Sequence, residues 1–411
     1  MLSQQLGLFD HLTHRANLKH TRYGWLRLTP AYSVHLVDKY LSELPPIMDG
    51  HVVLDPFCGT GTTALVCGEK GIMADTTDIN PFLLWLTKTK TQSYDPEQLQ
   101  EFCNLAEVII NNATNNLSEN AWVPPIHQIE KWWDETALTM LSHLMQEINT
   151  LRAISTKVLD LLKISFCRTM IIHSNASFNH QSMSFKQGVN GVLIKKTRDD
   201  IKMTWSATVR DIATAAKVQI PKQPRAILCD ARELTASLED DRYTCVITSP
   251  PYPNRMSYIR ELRPYMYWLG YLTNGREAGE LDWKAIGGTW GIATSNVGKW
   301  TPSEVRSIPF EGFSDILQQI NEQSSILSRY VHKYFYDMID HVDQMFRVVR
   351  TNGTIHYIVG NSKFYEVMLP VERIFAELFR NAGFDNTIIR PIRKRTSKKE
   401  LYEYVISARK P

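Results

Sequence analysis

The chain has 411 residues, enough for one large α/β domain with a sizeable insertion or for two domains. With 43% hydrophobic and 22% charged residues, and no uninterrupted apolar run of roughly eighteen, the composition is that of a globular protein and excludes a membrane-spanning helix. The net charge of +3 says little about partners, because nucleic-acid binding depends on where the charges sit.

Taken in chain order, the first twenty residues lack the apolar stretch and small-residue cleavage site of a secretory signal, so a cytoplasmic location is expected. Trp25 to Ser33 precede an amphipathic helix containing Val34, Leu36, Val37 and Tyr40. Val52 to Asp55 is an apolar strand ending in an acid, followed by a turn with Gly59 and Gly61 and a helix from Thr62 to Lys70. Ile72 to Asp78 is a second such strand, and Pro81 suits the first turn of the helix after it.

From about Gln92 to Lys217 the apolar residues recur at helical spacing, as in Leu138, Leu141, Leu144 and Met145, then Leu159, Leu161, Leu162 and Ile164. This predicts a helical insertion of roughly 120 residues. Within it, the amide-rich stretch His173 to Gln181 predicts a loop, and nine basic residues between Lys186 and Arg225 face only three acids. Ala226 to Asp230 and Tyr243 to Thr248 are again buried strands. After a helix begun by Tyr265, Tyr267 and Trp268, and a Gly- and Trp-rich loop from Asn274 to Pro309, three more strands follow: Thr354 to Val359 after an Asn352-Gly353 turn, Asp385 to Arg390, and Tyr402 to Ala408. Seven strands alternating with helices predict a doubly wound α/β sheet. The six cysteines contain no C-x-x-C pair, which excludes a zinc ribbon and a disulfide framework.

Two segments carry chemistry. Asp55-Pro56-Phe57-Cys58-Gly59-Thr60-Gly61-Thr62-Thr63 sits where a strand hands over to its helix, and glycines there let the backbone approach a ligand with its N–H groups free. Thr248-Ser249-Pro250-Pro251-Tyr252 follows another buried strand. Its prolines fix the backbone and remove competing N–H donors, and Tyr252 offers a π-face.

The first segment resembles motif I, and the second motif IV, of the S-adenosylmethionine-dependent methyltransferases that act on DNA amino groups. The resemblance covers roughly residues 22–90 and 225–410 and is carried by those motifs. It implies a seven-stranded methyltransferase (Rossmann-like) sheet, with 1–91 as motif X and the first part of the cofactor-binding catalytic domain, 92–220 as the insertion, and 221–411 as the remainder. Motif I precedes motif IV here, whereas many S-P-P-Y enzymes have the reverse order; strands that assemble in space tolerate that permutation.

The implied cofactor is S-adenosylmethionine, with no metal. It would be held by Thr29 and Pro30 in a motif X, by Asp55, Pro56, Phe57, Gly59, Gly61 and Thr62, by Asp78 on the ribose with Asp75 as competitor, by Asp230 and Ala231 on the adenine, and by Ser249. Ser249, Pro250, Pro251 and Tyr252 would be catalytic. An exocyclic amine is a poor nucleophile because its lone pair is delocalised, and the Ser249 hydroxyl and Pro250 carbonyl are two acceptors for its hydrogens.

The implied partner is double-stranded DNA, with a base flipped into the site and, in restriction-modification, a separately encoded cognate endonuclease. Asn175, Asn179, Lys195, Lys196, Arg198, Arg255, Arg260, Lys394 and Arg395 are the candidate DNA contacts. Ser at 249 resembles the cytosine-N4 subgroup. Adenine N6 is chemically equivalent as an acceptor. An RNA guanine-N2 methyltransferase is a further rival, although those enzymes more often carry Asp at that position and an RNA-binding domain before motif I. A cytosine-C5 enzyme needs a Pro-Cys thiolate, which the chain lacks. A silent DNA-binding subunit of the same fold is the non-enzyme alternative.

Overall fold

A computed structural model describes residues 21–26, 28, 31–46, 50–115, 121–177, 184–186, 195–304, 306–395 and 400–411. Its seven-stranded sheet contains β1 (Val52–Asp55), β2 (Met73–Asp78), β3 (Arg225–Leu228), β4 (Tyr243–Thr248), β5 (Val349–Gly360), β6 (Asp385–Lys394) and β7 (Tyr402–Arg409). The spatial order is β6-β7-β5-β4-β1-β2-β3. From β3 to β5 neighbours are parallel, and β7 runs antiparallel to both β5 and β6. This is the doubly wound seven-stranded α/β sheet expected from the sequence. The chain leaves β1 toward β2 and β3, then returns to the other side of β1 with β4, so the order reverses between β1 and β4. The loops after these two strands therefore share one crevice.

Alternation along the strands sends side chains to two helical layers. Val53, Cys245, Ile247, Ile358 and Val405 pack with Leu36, Val37 and Tyr40 of α1 (Val34–Ser42) and with Val66 and Cys67 of α2 (Thr62–Glu69). Their neighbours Leu54, Val246, Ile355 and Tyr357 face the opposite layer, formed by long helices at Ser325–Val348 and Val371–Asn381. Each such fully buried side chain contributes about 1.5–3 kcal/mol. The helix after β2, α3 (Pro81–Thr91), begins where the sequence places it: the Asn80 side chain accepts from Phe82 N–H and Pro81 occupies the first turn.

The insertion is helical as expected, with α4 (Pro96–Asn115), α5 (Glu135–Thr150), α6 (Thr156–Ile172) and α7 (Arg198–Ala216). A Thr197/Asp200 capping box starts α7. Its core is continuous with the rest: Trp133 and Phe166 pack with Phe82 and Leu86 of α3 and with Tyr265, Met266 and Trp268 of α8 (Tyr258–Trp268). Arg263 of α8 lies 5.1 Å from the Trp132 ring and 5.0 Å from that of Trp290, so the insertion and the Gly/Trp-rich stretch meet across one guanidinium.

Four local expectations are corrected. The amide-rich stretch opens a short antiparallel pairing, Ala176–Ser177 with Ser184–Phe185, rather than a plain loop. Tyr265, Tyr267 and Trp268 end their helix instead of beginning it, because Ser257 caps it eight residues before Tyr265. The third strand stops at Leu228, leaving Asp230 in the turn beyond it. Asn352-Gly353 does not separate elements: β5 starts at Val349 and the two residues sit in a register shift between its pairings at Val349 and Thr354. Asn352 takes φ +66 and Gly353 packs against the Tyr243 carbonyl, so the extra residues bulge out of one continuous strand.

Candidate functional site

The β1 and β4 turns are tied together by their own side chains. Val53 and Leu54 pair with Cys245 and Val246, which brings the next residues into reach, and Thr248 Oγ1 donates to Asp55 Oδ1 at 2.6 Å. Asp55 also receives Tyr32 Oη at 2.8 Å and Phe57 N–H at 3.2 Å. Burial pushes this carboxyl up to about 7 while those three donors pull it back. Gly61 caps α2 at φ +74, and a Cβ there would stand 2.5 Å from Thr87 Oγ1; glycine is required by both conformation and space. Lys90 Nζ, buried at the end of α3 and lowered to about 8 by desolvation, donates to Thr60 O and pins the same turn.

At the crevice lies a cavity of about 330 Å³. It is lined by Pro56, Phe57, Gly59, Asp78, Asp230 and Ala231 and by Ser249, Pro250, Pro251 and Tyr252; the strand order puts the turn after β4 on one side of β1 and those after β2 and β3 on the other. Asp78 Oδ2 accepts from Gly59 N–H at 3.3 Å and Oδ1 from Asn80 N–H at 2.8 Å. Burial raises its carboxyl to about 6 against these backbone donors. Asp75 points elsewhere: it is gripped by Arg225 Nε at 2.7 Å and Tyr243 Oη at 2.7 Å and lines no part of the cavity. Burial would raise the Asp230 carboxyl, but the Arg232 guanidinium and backbone N–H outweigh it and hold it below the usual range. His341, kept neutral by burial, lies 2.9 Å from the Ala231 carbonyl through Nδ1 and 2.7 Å from Tyr357 Oη through Nε2.

On the β4 side, the Ser249 hydroxyl donates to the Ile358 carbonyl at 3.0 Å, with Tyr252 Oη 3.5 Å away. Either way its only hydrogen is spent inside the protein, so toward the cavity the oxygen can only accept. Tyr334 Oη donates to the Pro251 carbonyl at 2.7 Å and steadies the double-proline turn. Tyr252 N–H donates to Tyr258 Oη at 3.2 Å and Tyr252 Oη to Glu403 Oε1 at 3.1 Å, while Arg393 holds the other Glu403 oxygen at 2.7 Å.

The chain is similar to type II methyltransferases over nearly its whole length. It is 20% identical to type II methyltransferase M.AvaI of Nostoc sp. over 95% of this chain and 85% of that protein. Against M.BsoBI of Geobacillus stearothermophilus the identity is 22%, covering 93% and 82%. Against M.MvaI of Kocuria varians it is 22%, covering 92% and 84%. No family model matches the chain.

Of the residues singled out from sequence, eleven are accounted for on the cavity wall: Pro56, Phe57, Gly59, Asp78, Asp230, Ala231, Ser249, Pro250, Pro251, Tyr252 and Arg395. Asp55, Gly61 and Thr62 stand behind the wall, their polar groups engaged in shaping the turn. Thr29, Pro30 and Asn179 lie outside the described residues.

Asn175 is corrected: it is 7% exposed, with its backbone bonded to Trp132 and Lys186, and is not available to read a base edge. Lys195 and Arg198 are exposed and Lys196 half-buried at the start of α7; Arg255 and Lys394 are exposed, and Arg260 is half-buried, its Nε without a hydrogen-bond partner among the described residues. Arg395 sits over the Tyr252 ring, 5.3 Å from its centre.

Sequence reasoning places Tyr258 close to the pocket and Arg393 in a C-terminal basic cluster, and both line the cavity; it missed Tyr32 as a site residue, and also Lys90, Tyr334, His341 and Glu403. Only Glu403 left a signal, an acid between two tyrosines in the last strand beside a basic cluster. Among the described residues no helix is long and apolar enough to cross a membrane, and no cluster of His, Cys, Asp or Glu is arranged to hold a metal ion.

Proposed function

We propose that this chain transfers a methyl group from S-adenosylmethionine to the exocyclic N4 amino group of cytosine in double-stranded DNA, with the base flipped out of the helix, as the modification half of a restriction-modification pair. One observation carries the reading: a single cavity is lined by the Asp78 and Asp230 carboxylates and the glycine turn on one side of the β1–β4 crevice and by Ser249-Pro250-Pro251-Tyr252 on the other. The similarity to type II methyltransferases supports it.

The donor set fits S-adenosylmethionine. Each Asp78 oxygen takes one backbone N–H and keeps a lone pair for a ribose hydroxyl. Phe57, Leu83 and Ile286 offer apolar surface to a purine, and Asp230 an acceptor for its amino group. When bound, that cofactor supplies an electrophilic methyl group on a sulfonium.

The chain's residues act on the acceptor. Ser249 Oγ, its hydrogen committed to Ile358 O, and the Pro250 carbonyl accept from the two amino hydrogens. They draw the nitrogen toward tetrahedral geometry and stabilise the positive charge it gains as the bond to the methyl carbon forms and the carbon–sulfur bond breaks; one of the two amino hydrogens is then released as a proton on the side of the acceptor it faces. With one face of Tyr252 covered by Arg395, its other face is left to stack the base. Ser249, neutral where an acid would carry charge, matches cytosine N4. Nucleoside mass spectrometry of DNA methylated by the purified protein tests this: N4-methyldeoxycytidine supports the reading, N6-methyldeoxyadenosine transfers it to adenine, and no methylated base refutes it.

A further inference from the structure

Beside the main cavity, sharing Asn254 and Arg395 with it, lies a second recess of about 150 Å³. Its wall carries three cationic residues, Arg255, Lys363 and Arg395, and no Asp or Glu. Ser362 completes it. This serine is 4% exposed, and its hydroxyl has no hydrogen-bond partner among the described residues, an arrangement that folded proteins rarely leave unless something else supplies the partner.

The cations are only lightly committed. Lys363 pairs with Glu366 at 2.6 Å, but that carboxylate is 87% exposed and such surface pairs are weak. Arg395 gives one Nη1 hydrogen to the Asn361 carbonyl at 2.9 Å and forms no ion pair among the described residues. Arg255 is held by its backbone, its N–H to Tyr330 Oη and its carbonyl from Thr289 Oγ1, both at 3.3 Å. Its φ of +61 is a conformation that bulky residues adopt where the surroundings enforce it.

We infer that this recess is a subsite for a phosphodiester of the nucleic-acid backbone, the one next to the nucleotide whose base enters the main cavity. The inference rests on the DNA-methyltransferase reading. Base and phosphate of one nucleotide are a sugar apart, and here a base-sized site and an oxyanion-sized site are a shared wall apart. Guanidinium groups suit phosphate by their planar fork of donors, and the Ser362 hydroxyl adds a neutral donor. Arg395 belongs to both sites, so the residue covering Tyr252 also senses whether the backbone is seated. The subsite positions the strand and reads no sequence.

The test is equilibrium binding of a fluorescent 30-base-pair DNA duplex (about one protein footprint with flanks) across a KCl series. Calorimetric titration with S-adenosylmethionine reports folding of each variant. Arg255→Ala lowers affinity several-fold and makes the log K against log [salt] slope shallower by about 1, with cofactor affinity unchanged. Arg255→Lys restores the slope, Ser362→Ala weakens binding without changing it, and the exposed Lys222→Ala serves as the charge control, leaving both as in the wild type. Inorganic phosphate at matched ionic strength competes with duplex in the wild type and not in Arg255→Ala. A wild-type slope in Arg255→Ala overturns the inference, and so does phosphate that binds the recess without competing, which would mark a free-phosphate site. A wild-type protein that binds no duplex at low salt overturns the functional reading itself.

Discussion

Arg395 lies over Tyr252 because residue 360 is glycine: a Cβ there would stand 2.5 Å from Arg395 Nη1 and 3.0 Å from Tyr252 Cε2. The end of β5, the edge of β6 and the double-proline turn thus meet at one point with no room for a methyl group. Gly360→Ala should push the flexible end of Arg395 off the ring and shift Tyr252 slightly, lowering the rate of methyl transfer several-fold, at a cost of no more than about 1–3 kcal/mol of stability. Steady-state rates and thermal unfolding of the variant, with cofactor titration as control, check this. A variant with normal rates would mean that Tyr252 need not hold its place.

Asp75 and Asp78, three residues apart on β2, separate stability from binding. Asp75→Ala leaves Arg225 and Tyr243 without their acceptor and should destabilise the fold by on the order of 1–3 kcal/mol while cofactor affinity stays within a few-fold. Asp78→Ala should cost on the order of 1.5–3 kcal/mol of cofactor binding with a smaller effect on unfolding. Chemical denaturation and calorimetry on both proteins distinguish the two; reversed outcomes would exchange the roles.

Burial raises Asp78 to about 6 and Asp55 to about 7, above the value near 4 of an unfolded aspartate. The folded state therefore binds their protons more tightly, so their contribution to stability is full below about pH 4 and is lost as pH rises through 6 and 7. Cofactor affinity should run the other way, because ribose hydroxyls need the Asp78 carboxylate: it rises as pH climbs through about 6. Binding titrations across that window should show the rise, and Asp78→Asn should flatten it. A flat wild-type profile would remove Asp78 from the ribose.

Much of the fold is legible in the chain because its signals are local. An apolar run ending in an acid and then glycine is a strand, a turn and a helix start whatever surrounds it, and so the sequence places β1, β2 and β4 to within a residue of their bounds. Whether Asp75 or Asp78 faces the ligand needs the sheet register, since only pairing with β3 shows that Asp75 meets Arg225. Glu403 lies 151 residues along the chain from Tyr252, His341 110 from Ala231 and Tyr334 83 from Pro251, and for His341 and Tyr334 nothing in their own neighbourhoods announces it. Asn175 misleads for a related reason: amides suit a loop as well as a buried turn, and its backbone is tied to Trp132 and Lys186, distant in the chain or beyond the loop.

Lys195, Lys196 and Arg198 form a cationic group at the start of α7, exposed at 195 and 198, and the sequence reading puts them on DNA. Replacing all three with Ala should weaken DNA binding and flatten its salt dependence, by up to about 0.9 in slope for each phosphate no longer neutralised. Fluorescence anisotropy over a salt series measures it. An unaltered slope would move the backbone-binding surface to the stretch around Trp290.

The most direct measurement takes one protein, Tyr252→Ala, and asks two questions of it: titration calorimetry with S-adenosylmethionine, and methyl transfer to unmethylated DNA. Because Tyr252 follows β4, on the other side of the crevice from Asp78 and Asp230, cofactor affinity should stay within a few-fold of the wild type while transfer is lost. A folded Tyr252→Ala protein that no longer binds the cofactor, or one that methylates DNA at the normal rate, would contradict the division of the cavity into a cofactor side and a base side.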